Sequence, residues 1–304
     1  MSKEAVIVPK LTLVEWEMQS RKVARTELIE QWQKEGVDVD RALSSHDRQK
    51  ETIDRLAEAL QVEQIHRDNW NHEQAEKYKF VIAPGGDNHM QYVARFILKD
   101  QILLGLNSDP QTSKGATLVF TPEDINYIKE KLNDGKFKIE SWTRLQAILN
   151  GKLLPFYALS EIFIGEVKSR GMNRNILTYK GIVEEQKNSG FIIATGVGMS
   201  DGAWGSNIIS KWKESITRDF PKFSKLDLRA RLVSRERMDG VSSIDIADIE
   251  LGEKIEFQSL NKNGEVSFDP DPSDDQFSFP FKRGCKVTIE IAKDHPLNVA
   301  VKEA

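Results

Sequence analysis

The chain has 304 residues, 43 Lys and Arg against 47 Asp and Glu, a formal net charge of −4, and a single cysteine, Cys285. At roughly 150 residues per domain this length suggests about two domains, with enough chain to bury a core. Hydrophobic and charged fractions of 39% and 30% exclude a mostly disordered chain, and apolar runs such as 80–84 are too short to span a bilayer; the slightly acidic balance argues against a dedicated nucleic-acid binder, and one cysteine excludes an internal disulfide or a Cys-rich zinc site.

Residues 1–10 hold four consecutive apolar residues, 5–8, well short of a signal-peptide core, and lack the Arg-rich character of a transit peptide. They read as a first buried strand, and a cytoplasmic location is the expectation. In 11–36, Val23, Leu28, Ile29 and Trp32 recur at helical spacing. Ser44 and Ser45 can cap a second helix over 47–60, with Ile53, Leu56, Ala57 and Leu60 on one face. Strands follow at 62–65 and 80–83, the latter a β-branched and aromatic run suited to a strand covered on both faces. A helix is expected over 90–98 and a strand over 102–106. Thr121, Pro122, Glu123 and Asp124 mark a further helix start. This alternation predicts parallel βαβ units, a doubly wound, Rossmann-like α/β domain.

From about residue 136 the pattern becomes β-rich. Short strand-like pieces at 138–140, 162–164, 176–177, 191–193, 228–233, 254–257 and 287–291 alternate with Gly, Asn, Asp and Ser clusters, with one helix near 207–218. The expected division is an α/β nucleotide-binding domain over 1–135 and a β-rich domain over 136–294, with the tail, about 295–304, able to return to the first. The acidic loop 269–275 reads as a solvated connection.

Two segments could carry chemistry. In 81–89 a buried strand runs into Pro84-Gly85-Gly86-Asp87-Asn88-His89 and then a helix. Open α/β sheets bind ligands at such carboxyl ends, where glycine amides and a helix N-terminus favour an anion. A plain tight turn, with Asp87 as helix cap, is the competing reading. The second segment is a strand followed by Thr195-Gly196-Val197-Gly198-Met199-Ser200-Asp201-Gly202. Its glycine spacing misses the dinucleotide fingerprint, so a phosphate or sugar loop and a structural turn stand equally. The chain has no Walker sequence, no G-x-S-x-G and no zinc-hydrolase histidine spacing among His46, His66, His72, His89 and His295. Trp142, Trp204 and Trp212 read as core or interface anchors, Cys285 as a small packing residue, and His89 as an exposed residue at a helix start.

Taken in order, these segments resemble the NAD kinases, in particular the branch that includes the mitochondrial-type enzyme. The family's Gly-Gly-Asp-Gly-Thr turn stands here as Gly85-Gly86-Asp87-Asn88-His89. The branch's Asn and Thr-Asp-Pro-x-x-Ser-x-Gly stand as Asn107 and Ser108-Asp109-Pro110-Gln111-Thr112-Ser113-Lys114-Gly115. The Asn-Glu pair stands as Ser160-Glu161 within 158–166, and Thr-Gly-x-Gly stands as Thr195-Gly196-Val197-Gly198, followed by Ala203-Trp204 and Asn207-Ile208. The departures are Asn88-His89 for Gly-Thr, Ser160 for Asn, and Met199-Ser200-Asp201-Gly202 after the last turn.

The resemblance implies a Rossmann-like N-terminal domain, a β-rich C-terminal domain and an active site in the cleft between them. It implies transfer of the ATP γ-phosphoryl to the adenosine-ribose 2′-hydroxyl of NAD, with Mg²⁺ held mainly by the phosphates. Asp87 would accept the hydroxyl proton, Glu161 would hold ribose hydroxyls, and Asn107 and Thr195 would orient the nucleotide. Gly85, Gly86, Asn88, Asp109, Ser160, Gly196 and Gly198 would complete the nucleotide-binding set. A homodimer or tetramer is expected. Two alternatives accompany this reading. One is a catalytically altered dinucleotide-binding relative with a regulatory role, which Asn88, His89 and Ser160 favour. The other is a lipid kinase of the wider diacylglycerol-kinase-like superfamily, against which the 107–115 segment and the absence of a basic amphipathic stretch both count.

Overall fold

The computed structural model describes residues 3–168, 171–200, 222–236, 243–270 and 275–303. The helix expected over 207–218, Trp204, Trp212 and the 271–274 part of the acidic loop lie outside the described residues. The chain divides into two compact units, Met1–Ile139 with Asn298–Ala304, and Glu140–Leu297. Among the described residues, no helix is long and apolar enough to cross a membrane.

The first unit opens with β1 (Lys3–Ile7) and three helices, α1 (Leu13–Arg21), α2 (Arg25–Glu35) and α3 (Val39–Leu60). Val14, Leu28 and Trp32 make a small core of their own against Val39, Ala42 and Leu43. That packing carries α3 back to Val39, so its cap is Asp38, whose carboxylate accepts from the Arg41 amide at 3.0 Å. Ser44 and Ser45, expected as caps, lie inside the helix. Next come β2 (Glu63–Gln64), α4 (His72–Ala75), β3 (Tyr78–Gly85), α5 (Asp87–Ala94), β4 (Ile102–Asn107), α6 (Ile125–Asp134) and β5 (Lys138–Trp142). The helix expected over 90–98 starts at Asp87 instead, directly off the glycine turn. Thr121, Pro122 and Asp124 form the expected helix entry, with Asp124 accepting from the Thr121 amide at 2.8 Å.

These strands build a six-stranded sheet in the order β2-β1-β3-β4, then the C-terminal strand Leu297–Val301, then β5. β1 pairs parallel with β2 and β3, β3 with β4, and β4 with the C-terminal strand. The continuous apolar runs follow from burial on both faces. Ala5, Ile7, Phe80, Ile82, Leu104 and Leu106 face Leu56 of α3 and Ile125, Ile128 and Leu132 of α6. Residues of opposite parity, Val6, Val81, Ala83 and Leu103, are fully buried too. The side chain of Met90 in α5 lies against the bare Cα of Gly105 in β4.

The second unit is β-rich, its described elements being strands apart from one 3-10 turn, Asp275–Phe277. Its strands are β6 (Leu145–Leu149), β7 (Lys152–Leu153), β8 (Glu161–Glu166), β9 (Asn173–Tyr179), β10 (Ile182–Asn188), β11 (Phe191–Thr195), β12 (Arg229–Ser234), β13 (Ile246–Glu250), β14 (Lys254–Ser259), β15 (Gly264–Phe268), β16 (Ser278–Pro280) and β17 (Lys286–Ile291); the C-terminal strand is β18. Two six-stranded sheets result, ordered β10-β9-β14-β17-β6-β7 and β13-β12-β11-β8-β15-β16. Phe191 of one sheet meets Phe257 of the other, ring centroids 4.9 Å apart. A buried amide chain also joins the sheets: Asn173 donates to Asn188 at 2.6 Å, and Asn188 donates to the Ser234 hydroxyl at 2.9 Å. A register slip in either sheet would leave these buried groups without partners.

β18 lies inside the sheet, with Leu297, Val299 and Val301 buried. At about 1.5–3 kcal/mol for each such side chain, its burial rivals the whole stability of a domain, about 5–15 kcal/mol. A chain ending at Pro296 is expected to lose cooperative unfolding of the first unit, read by denaturant titration.

Candidate functional site

The expected site residues fall into two groups, one in each unit. In the first unit, Pro84 sits in β3 between two parallel neighbours and brings no backbone N–H. The Val8 amide donates to the Ile82 carbonyl at 2.8 Å. In this register the Val8 carbonyl should accept from residue 84, which has nothing to give. His89 supplies the bond: its Nε2 lies 2.7 Å from the Val8 oxygen. The ring is therefore buried, where the sequence suggested exposure. It lies so close to Gly85 that a Cβ there would meet the His89 ring carbon at 2.8 Å.

Burial, with Arg67 and Lys10 nearby, pushes the His89 imidazole down to about 3 against the opposing pull of the Val8 bond. The neutral ring donates from Nε2, and its bare Nδ1 is buried without a hydrogen bond among the described residues. With His89 turned inward, Asn88 faces out and is exposed. Gly86 precedes the first residue of α5, and a Cβ there would meet nothing within 4 Å. Packing makes no demand for this glycine; it leaves open space beside the first amides of α5, which have no partner within the helix.

Asp87, first in α5, turns its carboxylate to the segment after β4. Oδ1 accepts from the Thr117 amide at 2.7 Å and the Thr117 hydroxyl at 2.6 Å; Oδ2 accepts from the Ala116 amide at 3.0 Å. Asn107 and Asp109 hold the same segment from its other end. The Asn107 amide donates to the Ser113 carbonyl at 2.9 Å, and its oxygen accepts from the Asp109 amide at 3.1 Å. Asp109 is buried and accepts from Arg48 Nε at 2.8 Å, Arg48 Nη2 at 3.1 Å, Ser45 at 2.6 Å and Thr112. Burial alone would raise its carboxyl, but these bonds and the guanidinium charge hold it at about 2.

In the second unit, Ser160, Glu161, Thr195, Gly196 and Gly198 come together where β8 begins and β11 ends. Glu161 pairs with Ala194, and the Thr195 amide donates to the Ser160 carbonyl at 2.9 Å. The Thr195 hydroxyl donates to the Leu159 carbonyl at 2.6 Å and accepts the Val197 amide at 3.2 Å, so its bonds serve the turn itself. Gly196 and Gly198 are passed closely by the Ser224 and Ser160 carbonyls, and a Cβ at Gly198 would lie 3.1 Å from Glu161 Oε2. Only glycine admits that approach. Asp201 and Gly202 lie outside the described residues.

One residue of this site escaped the sequence reading. Asp269, expected in a solvated connection, is buried. Its Oδ1 accepts from the Ser160 amide at 2.6 Å and the Glu161 amide at 2.9 Å, and its Oδ2 from the Leu159 amide at 2.8 Å. Its own amide donates to the Glu161 carbonyl at 2.8 Å, from a backbone with φ of 42° that Asp tolerates better than most residues. A lone Asp before proline in an acidic stretch carries no signal of this partnership; only the pairing of β8 with β15 creates it.

No family model and no curated protein sequence matches the chain. Solved structures do. The chain is similar to an NAD kinase from Archaeoglobus fulgidus in complex with ATP, with a TM-score of 0.63 and 17% identity, covering 99% of this chain and 94% of that one. It is similar to yeast NADH kinase complexed with NADH, with a TM-score of 0.63 and 13% identity, covering 99% of this chain and 84% of that one. The likeness establishes the fold, a Rossmann-like α/β unit followed by a β-rich unit, as the sequence indicated.

Two measurements probe these turns. Below pH 6.5 the unfolded chain binds a proton that the folded His89 refuses, so stability falls as pH drops from 6.5 toward 3. Replacing His89 with Gln keeps an N–H for Val8 and removes that titration. Between pH 7 and pH 5 the wild type is expected to lose about 2 kcal/mol more than His89→Gln in urea unfolding. Asp269→Ala strips three buried amides of their acceptor, at about 1–3 kcal/mol each. It is expected to cost at least about 3 kcal/mol, and Asp269→Asn less, in the same assay.

Proposed function

We propose that this protein is an NAD kinase that moves the γ-phosphoryl of ATP to the adenosine-ribose 2′-hydroxyl of NAD, giving NADP. The observation that carries the reading is Asp87, presented by an open glycine turn at the carboxyl end of a parallel strand, in a fold shared with an ATP-bound NAD kinase and an NADH-bound NADH kinase. The sequence motifs over 107–115 support the mitochondrial-type branch.

Phosphoryl transfer needs alignment, charge neutralisation and an acceptor for the hydroxyl proton. Asp87 Oδ2 carries a single donor and retains a lone pair for that proton, whereas Oδ1 already accepts two bonds. The amides at the start of α5 and the bare Gly86 suit a phosphate oxygen. Glu161, held by the Asp269-bound turn, accepts from the ribose hydroxyls of NAD, as acidic groups do. Among the described residues no cluster of three or more His, Cys, Asp or Glu could hold a metal. Mg²⁺ entering with ATP on its phosphates would neutralise charge on the transferring group.

A second reading, a dinucleotide-binding relative without transfer activity, draws on the same turn: Asn88 projects where the family has glycine, and both Asp87 oxygens are engaged. Incubation with NAD, ATP and Mg²⁺, read through an NADP-specific dehydrogenase, separates the two. The expected result is NADP formation that Asp87→Asn cuts by about 10²-fold or more, the usual worth of a general base. NAD binding without NADP supports the second reading. Glu161→Ala is expected to weaken NAD binding by about tenfold or more in calorimetry, the scale of a hydrogen bond to a charged group.

A further inference from the structure

We propose that Thr117 is a positioning residue for Asp87: its hydroxyl and amide set the rotamer that turns Oδ2 toward the substrate hydroxyl. The proposal rests on the kinase reading above and adds to it a residue outside all four sequence motifs.

An aspartate at the first position of a helix has a competing use for its carboxylate, the unpaired amides of its own first turn. Asp87 makes no such bond. Both oxygens face away from α5, held by three donors from 116–117. Oδ1 is gripped by two groups of one residue, which fixes the carboxylate plane better than any single bond could. Thr117 is fully buried, so its hydroxyl is spared competition from bulk water.

The clamp needs a segment that does not move, and the segment is anchored twice. Asn107 ties it to Ser113, and Asp109 is locked to α3 through Arg48 and Ser45. Thr52 of α3 adds a bond from its hydroxyl to the Ser108 carbonyl at 3.1 Å. The same α3 packs Leu56 against the sheet that carries β3 and β4. Asp87 is thus oriented from outside its own helix, through a loop pinned to the sheet's covering helix. Asn107 and Asp109, expected among the nucleotide-binding residues, also make these anchoring bonds.

The test uses the full-length chain with Thr117→Val, which keeps shape and loses the hydroxyl, and Thr117→Ser, which keeps the hydroxyl. Thr117→Val is expected to lower kcat about ten- to hundredfold, the worth of one hydrogen bond to a charged group, with the KM for NAD within about twofold. Thr117→Ser is expected to restore kcat to within about threefold of wild type. A Val variant with wild-type kcat, or a Ser variant as impaired as Val, overturns the proposal while leaving the kinase reading intact. Amide hydrogen exchange keeps the two apart: Asp87→Ala is expected to speed exchange at Ala116 and Thr117, and unchanged exchange overturns the clamp. A wild-type chain that makes no NADP overturns the kinase reading, and with it the catalytic use of Thr117.

Discussion

Pro84 stands in a strand flanked by parallel neighbours on both sides, a place where a missing N–H has a definite cost. The Val8 carbonyl it fails to serve is buried, and an unpaired buried carbonyl costs about 1–3 kcal/mol. His89 removes that cost by reaching back one helical turn into the sheet. For the ring to arrive, Gly85 must have no side chain and α5 must begin at Asp87. Once His89 points inward, helical geometry sends Asn88 outward and leaves Asp87 between them, facing the segment after β4. The shape of the first turn follows from one absent hydrogen atom on a proline.

Three aspartates then do related work by a common means. Asp87, Asp109 and Asp269 each accept three or more bonds, and each joins parts of the chain far apart in sequence. A carboxylate can accept several donors at once, which suits it to organise loops whose amides have no place in a helix or ladder. Under the proposed kinase reading, a chain with a net charge of −4 would recognise phosphate through amides and helix termini rather than through a broad basic surface.

Much of the fold was legible because it rests on local pattern. The 80–83 run announced a strand covered on both faces, and Thr121-Pro122 announced a helix entry. Other features were hidden because their cause lies elsewhere in the chain. His89 looked like an exposed residue until its partner, 81 positions away, was known. Asp269 looked solvated because its three donors lie more than 100 positions earlier. Ser44 looked like a cap because nothing local revealed that Trp32 and Leu43 extend the helix backward.

Order of motifs and alternation of strand and helix signals were enough, by themselves, to set the fold class and to bring Asp87 and Glu161 forward. Those properties depend on residue type and spacing, which a sequence displays directly. Which polar atoms are left for a ligand was decided by tertiary structure alone. Asn107, Asp109 and Thr195 carry side chains that suit a nucleotide; in the fold they also bond the Ser113 carbonyl, Arg48 of α3 and the Leu159 carbonyl. Thr117, outside every motif, holds the carboxylate on which the proposed chemistry turns. A hydrogen-bonding group declares its capacity in the sequence, but its partner depends on which distant segments the fold places within 3 Å.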